Sequence, residues 1–260
     1  MRRLIVAEPL ARSAIWARRL GVFALATAAV SIALARLRAA DPTAALTVFG
    51  AALVLAALAA LLAFAAAVVI WRDGLRGAEQ AALALLLAAG LFAYPVYLAG
   101  TAFVYPPIND VTTNLKSPPP FMFSVKAREA RGSSEPPPPP SPEALQTQRA
   151  AYPDIGTITV EMDSTAAYQL ALSVAKDLGW TIVDSEPPNL NGDGSALIEA
   201  TARSLFFGFV SDIAIRIRPG ATHTAIDLRS VSRVGRHDFG ANARRVRKFA
   251  AAIKEAAEER

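Results

Sequence analysis

The chain has 260 residues, 53% hydrophobic and 19% charged, with a formal net charge of +5 and no cysteine. The lack of cysteine excludes disulfides, thiolate metal sites and a cysteine nucleophile. The positive balance does not point to nucleic acid, because residues 152–260 hold 13 Lys/Arg against 14 Asp/Glu and the surplus lies earlier in the chain.

Three apolar runs, at about 16–35, 44–71 and 81–104, fill the first hundred residues. A helix crosses a hydrocarbon core with about 20 apolar residues at ~1.5 Å each, a length the second and third runs exceed and the first just reaches. Core helices of a water-soluble domain carry a polar face, and these runs have none. The spacing therefore predicts an all-α membrane part of three transmembrane helices, with the lipid bilayer as its first partner. Ala33-Leu34-Ala35 after the first run resembles a signal-peptide cleavage site. The long Arg-containing lead and the two runs that follow favour an uncleaved anchor instead.

Arg2, Arg3, Arg12, Arg18 and Arg19 stand against a single Glu8 before and at the start of the first run. That bias predicts a cytoplasmic start, and three spans then put the rest of the chain on the periplasmic side of a bacterial inner membrane. Tyr94, Tyr97, Phe103 and Tyr105 form an aromatic belt at the exit of the third span. Past Arg18 and Arg19, which precede the apolar stretch from Leu20, the spans carry no ionisable residue to mark an ion path, which argues against a transporter or channel.

Residues 105–150 hold 11 of the 18 prolines, including Pro118 to Pro120 and Pro136 to Pro140. Such runs favour extended polyproline II. The stretch 131–142 reads as a spacer. The part from Tyr105 to Phe121 reads differently, since Ile108, Val111 and Phe121 are apolar anchors and Asn109 and Asp110 close Asx-type turns. This first part is expected to dock on the domain that follows.

Residues 151–260 predict an α+β domain, an antiparallel sheet with two helices on one face. Strands are expected at 157–161, 180–183 and 196–206. Ala167, Leu170, Ala171, Val174 and Leu178 form one helical face, with Asp163 or Ser164 as cap and Gly179 as stop. Ile213, Ile215 and Ile217 alternate with Ala214, Arg216 and Arg218, and Pro219-Gly220-Ala221-Thr222 turns the chain back. Pairing Arg218 with His223 sets Ile215 opposite Ile226 and Ile213 opposite Leu228, with Arg216 diagonal to Asp227 on the other face. A last helix is expected from about Asp238, its N-cap, to Ala257.

Charge is segregated along this domain. Residues 151–199 carry eight acidic groups and one Lys, whereas 203–248 carry ten basic groups and three Asp. The last helix has its basic residues first and its acidic ones last, against the helix dipole. Arg233, Arg236, Arg244 and Arg245 are therefore the candidate anion site, near a helix start whose free N–H groups suit a phosphate or carboxylate. The alternative is that these arginines bridge to the acidic half of the same domain. Enzyme signals are thin. His223 and His237 lack metal-ligand spacing, and Ser230 and Ser232 lack a nucleophile elbow. No catalytic residue, metal or cofactor is assigned.

Two stretches resemble a known family. One is Pro107-Ile-Asn-Asp-Val-Thr-Thr113 with Pro-Pro-Pro-Phe121, in which Asn109, Asp110, Thr112 and Thr113 carry the motif. The other is Ile198-Glu-Ala-Thr201 continuing through Arg216 to the run from Arg229 to Arg247. Together they are similar to the bacterial domain of unknown function 1499. The resemblance departs at Asn114, where members often carry an acidic residue, and in the insert at Pro136 to Pro140. It implies a membrane-attached or exported domain without an assigned activity. The leading expectation is a non-enzymatic periplasmic binding or envelope-assembly domain, taking an anionic envelope ligand or a protein partner. The alternatives are a membrane-bound hydrolase or transferase acting on an anionic envelope component, and a cytoplasm-facing interaction module.

Overall fold

The computed structural model describes residues 9–133, 135–189 and 192–259, so Arg2, Arg3 and Glu8 of the N-terminal flank and Ser134 of the expected spacer lie outside it. The chain forms two compact units. One is built on the N-terminal helices through Gly100 and includes Leu205–Gly208; the other runs from Thr101 and includes the chain from Phe209 onward.

The first unit contains α1 (Arg12–Arg36), α2 (Pro42–Asp73) and α3 (Ala78–Val104), which continues past Gly100. All three are long and apolar enough to cross a membrane. Asp41 caps α2 by accepting from Thr43 N and Ala44 N, Pro42 occupies its first turn, and Gly74 ends it in the left-handed region at φ 66°. The residues that α1 buries are Ala14, Ala17, Gly21, Ala24, Ala28, Ser31 and Ala35, spaced alternately three and four apart. On α2 the buried set is Ala45, Phe49, Ala52, Ala56, Ala59, Ala63 and Ala66, with the same alternation. Ala81, Ala84, Ala88 and Leu91 repeat it on α3. A mean spacing of 3.5 residues is the period of a left-handed coiled-coil seam. Here the seam is made almost wholly of small residues, so the backbones approach closely. Large side chains such as Phe23, Val30, Val54, Leu61, Phe64 and Leu86 point outward and are exposed. This inverts the water-soluble pattern, in which large apolar groups gather inside, and suits a hydrocarbon solvent that already accepts them.

The seam makes a specific demand. Ala56→Leu, which inserts three carbons where Ala56 is fully buried, is expected to destabilise the helical unit by about 1–3 kcal/mol. Val54→Leu, on the outward face, is expected to be near neutral. Unfolding of the two variants in detergent, followed by circular dichroism, separates them; equal midpoints would refute the seam.

The second unit consists of β1 (Asp110–Thr112), α4 (Val125–Arg131), α5 (Pro142–Ala151), β2 (Ile158–Val160), α6 (Ser164–Asp177), β3 (Thr181–Glu186), β4 (Ala196–Arg203), β5 (Val210–Pro219), β6 (Thr224–Ser232) and α7 (Ala241–Glu258). The sheet order is β1-β6-β5-β4-β3, with β2 also on β6, and every pair is antiparallel. Alternation puts Ile198, Ile213, Ile215, Ile217, Ile226 and Leu228 on one face, where they form a single core with Leu170 and Val174 of α6 and Val246, Phe249 and Ile253 of α7. Each such side chain removed from water contributes ~1.5–3 kcal/mol. The fold is the expected α+β class, with its two long helices on one face.

Several details differ from the sequence reading. Ile217 pairs with Ile226, Ile215 with Leu228 and Arg216 directly with Asp227, a register two residues from the expected one. A slip of two preserves which face each side chain takes, so the hydrophobic pattern could not distinguish the registers. The turn itself decides, because Pro219 pairs with Thr224 and Gly220 N bonds His223 O. Helix α7 starts at Ala241 rather than Asp238. Gly240, at φ 73°, is the cap, while the Asp238 carboxylate accepts from Gly240 N and Asn242 N. The Tyr105 ring also lies against Gly240, where a Cβ would meet it at 2.8 Å. Strand β1 and helices α4 and α5 were not expected. The stretch 131–142 is not a spacer: Arg131 ends α4 with its side chain buried, Pro142 opens α5, and the Pro138 carbonyl accepts from Arg229.

Candidate functional site

The second face of the sheet is polar and buried. Glu199 of β4, Asp212 of β5 and Asp227 and Arg229 of β6 alternate with the core residues and so project away from α6 and α7. Each is at most 3% exposed. An unpaired buried charge is prohibitive, so each must find a counter-charge. The proline-rich segment and its short helices supply several of these partners.

Arg229 donates through Nε and Nη2 to both oxygens of Asp110 at 2.7–3.2 Å, lies 5.1 Å over the Phe121 ring and bonds the Pro138 carbonyl. Glu199 pairs with Arg131 and accepts from Met122 N at 2.8 Å, while Arg131 Nη2 donates to Met122 O. Arg233 forms a fork on Asp212 at 2.7–3.1 Å. Asp227 accepts from Arg216 and Arg218, each at 2.8 Å, and from Thr157 and Asn114. Asn114 thus stands as a donor to a carboxylate, a place where an acidic side chain would add repulsion.

These environments push the carboxyls in opposite directions. Burial raises Asp227, but the bonds from Arg216, Thr157 and Asn114 and the Arg218 charge outweigh it, and the group lies below its ordinary value. For Asp110 and Glu199 burial prevails over Arg229, and over Met122 and Arg131, so both lie above theirs. Burial likewise raises Asp238.

Beside this lattice lies a cavity of about 690 Å³. Pro136 to Pro140 line it together with Asn109 and Asp110 at the start of β1, Asp212 of β5 and Arg233 and Arg236 beyond β6. Arg131 and Glu135 complete its charged lining. Of the expected anion-site residues, the structure brings Arg233 and Arg236 to this cavity, and Arg233 arrives paired. Arg244 and Arg245 are not among its lining residues. Arg244 donates to the Phe239 carbonyl and lies over the Tyr105 ring. Arg245 donates to Ser230 Oγ and Asn242 Oδ1, and burial lowers its pKa to about 10.

The motif residues Asn109, Asp110, Thr112 and Thr113 attach the chain to β6. Asn109 donates to Gly235 O and its carbonyl accepts from Ser232 N. Gln148 of α5 brackets Thr112 with bonds to its N–H and carbonyl, and Thr113 Oγ1 accepts from Leu228 N. Arg131, Glu199, Asp212 and Gln148 were not singled out from sequence. The available signal was acidic residues at alternating positions in otherwise apolar strands, which marks a buried polar face once both faces are known to be covered.

The arrangement defines a class: an α+β domain with one apolar and one ion-paired sheet face, carried on a chain with three helices suited to a membrane. Residues 110–253 match the family model "Protein of unknown function (DUF1499)", and the chain belongs to that family, as its motifs implied. No curated protein matches the chain.

The depressed Asp227 gives a pH signature. Stability from a carboxyl whose pKa is lower folded than unfolded is fully present above its ordinary value of 3.8 and is lost as pH falls through the folded value. Asp227→Asn is expected to cost about 3–5 kcal/mol at neutral pH, since Arg216 and Arg218 lose their shared counter-charge, and to flatten the fall in stability below pH 3.8. Denaturant unfolding at several pH values measures both, and an unchanged acid limb would exclude this role.

Proposed function

We propose that this protein is a non-enzymatic binding module of the bacterial inner membrane, with its α+β domain displayed in the periplasm and an anionic group as its ligand. The observation that carries the reading is the cavity beside β1 and β5. Every buried acid around it is met by an arginine, yet Arg236 lines it exposed and Arg131, with a side chain 3% exposed, has a buried Nε without a hydrogen-bond partner. Arginine is the side chain best suited to oxyanions, through its planar array of donors. Burial of a donor without an acceptor costs about 1–3 kcal/mol, which an incoming oxyanion relieves.

The outward orientation is supported by the five arginines set against Glu8 before and within the first turns of α1, and by the odd number of spans. An alkaline phosphatase fused to the C-terminus is expected to be active and a fluorescent protein there dark; the reverse result would turn the domain to the cytoplasm. Titration of the full chain in detergent with inorganic phosphate is expected to give saturable binding. Arg236→Glu, a change at an exposed side chain, is expected to weaken it at least about tenfold without lowering the unfolding midpoint. Unaltered phosphate affinity in that variant would remove the cavity as the site.

A further inference from the structure

The cavity offers more than positive charge, and this inference rests on the anion-binding reading above. Asp110 is held by Arg229, Asp212 by Arg233 and Arg131 by Glu199. Among the described residues lining the cavity, this leaves Arg236 and Glu135 as the charged side chains with no ion-pair partner. One is a cation and one an anion, and both are exposed. The lining is also divided in hydrogen-bonding character. Pro136 to Pro140 bring no N–H to the lining, and although the Pro138 carbonyl is already taken by Arg229, that stretch can only accept, as can the Glu135 carboxylate. Arg236 and the unpartnered Arg131 Nε can only donate. A simple anion would satisfy the donors and meet the acceptor stretch unfavourably.

We propose that the cavity takes a zwitterion, its anionic oxygen group received by Arg236 and Arg131 and its ammonium by Glu135 and the proline carbonyls. An amine with a phosphate or carboxylate a few atoms away meets this description, whether as a free small molecule or as the headgroup of a lipid. The polyproline stretch is suited to the task because its conformation is set before binding, so little ordering entropy opposes the contact.

The test titrates the full chain in detergent with phosphoethanolamine, inorganic phosphate and ethylamine, by calorimetry. Phosphoethanolamine is expected to bind about three- to tenfold more tightly than phosphate, the scale of one partly exposed charge pair, with ethylamine weakest. Glu135→Gln should abolish that preference, whereas Arg236→Gln should weaken both anions. If phosphate binds as tightly as phosphoethanolamine, or if the preference survives Glu135→Gln, the zwitterion is wrong while the anion site stands. If neither binds, the anion reading fails and this one fails with it. A short-chain phosphatidylethanolamine is run alongside: tighter binding than the free headgroup identifies a lipid source, equal or weaker binding a soluble one, and either result upholds the zwitterion.

Discussion

The second unit depends on neutralising charges that its own sheet buries. With helices on one face and chain over much of the other, the central strands have little surface left for water, and Glu199, Asp212, Asp227 and Arg229 are enclosed. Each therefore needs a partner with good geometry, and the fold brings partners from far along the sequence: Asp110 to Arg229, Arg131 to Glu199, Asn114 and Thr157 to Asp227. Such pairs add little net stability compared with apolar replacements, but losing one member is costly. Their effect is to specify. An apolar second face would accept many coverings; this one accepts a segment presenting a carboxylate, a guanidinium and amide groups at the right places.

The proline-rich segment acquires its structure from that demand. Its sequence has little helical or strand propensity to organise it alone, and proline runs exclude regular hydrogen bonding. Bound to the sheet, it contributes strand β1, the short helix α4 with Ser124 as its cap, and the start of α5 capped by Ser141. The residues most resembling the family motif, Asn109 to Thr113, are those that fasten this segment to β6. Their role in the structure is attachment, which explains why they are clustered ahead of the domain's main body in sequence.

How much was legible follows from the range of each interaction. The helices and the isoleucine hairpin were readable because their patterns are local and periodic, at 3.6 and 2 residues. The hairpin register was not, because a shift of two residues leaves the faces unchanged. The polar face was unreadable for another reason: Arg131–Glu199 and Asp110–Arg229 join residues 68 and 119 positions apart, and nothing local announces them. The small-residue seam of α1, α2 and α3 was readable in principle. Its alternation of three and four is plain in the sequence, but alanine is counted as merely apolar when only length and hydropathy are considered. Of the four candidate arginines, two reach the cavity, Arg244 bonds the Phe239 carbonyl at the surface and Arg245 is taken up inside the domain, since sequence proximity on a helix does not make side chains converge.

The separation of acidic and basic residues between the two halves of the domain now has a physical meaning. Much of what reads as a field for attracting an anion is neutralised inside the domain: Arg247 reaches Asp154 of the acidic half, while Arg233 meets Asp212 and Arg216 and Arg218 meet Asp227 within the basic half itself. A basic stretch whose members are satisfied internally exerts little pull on a ligand, because each pair is close to neutral at a distance beyond its own length. The charges that can recognise something are the remainder after pairing, and these number few on any well-folded domain. Here the remainder at the cavity has both signs, at Arg236 and Glu135, set against a stretch that can only accept hydrogen bonds. Subtracting internal pairs before assigning ligand charge thus changes the chemistry inferred from this arginine-rich sequence, from a simple anion to a molecule that carries its own counter-charge.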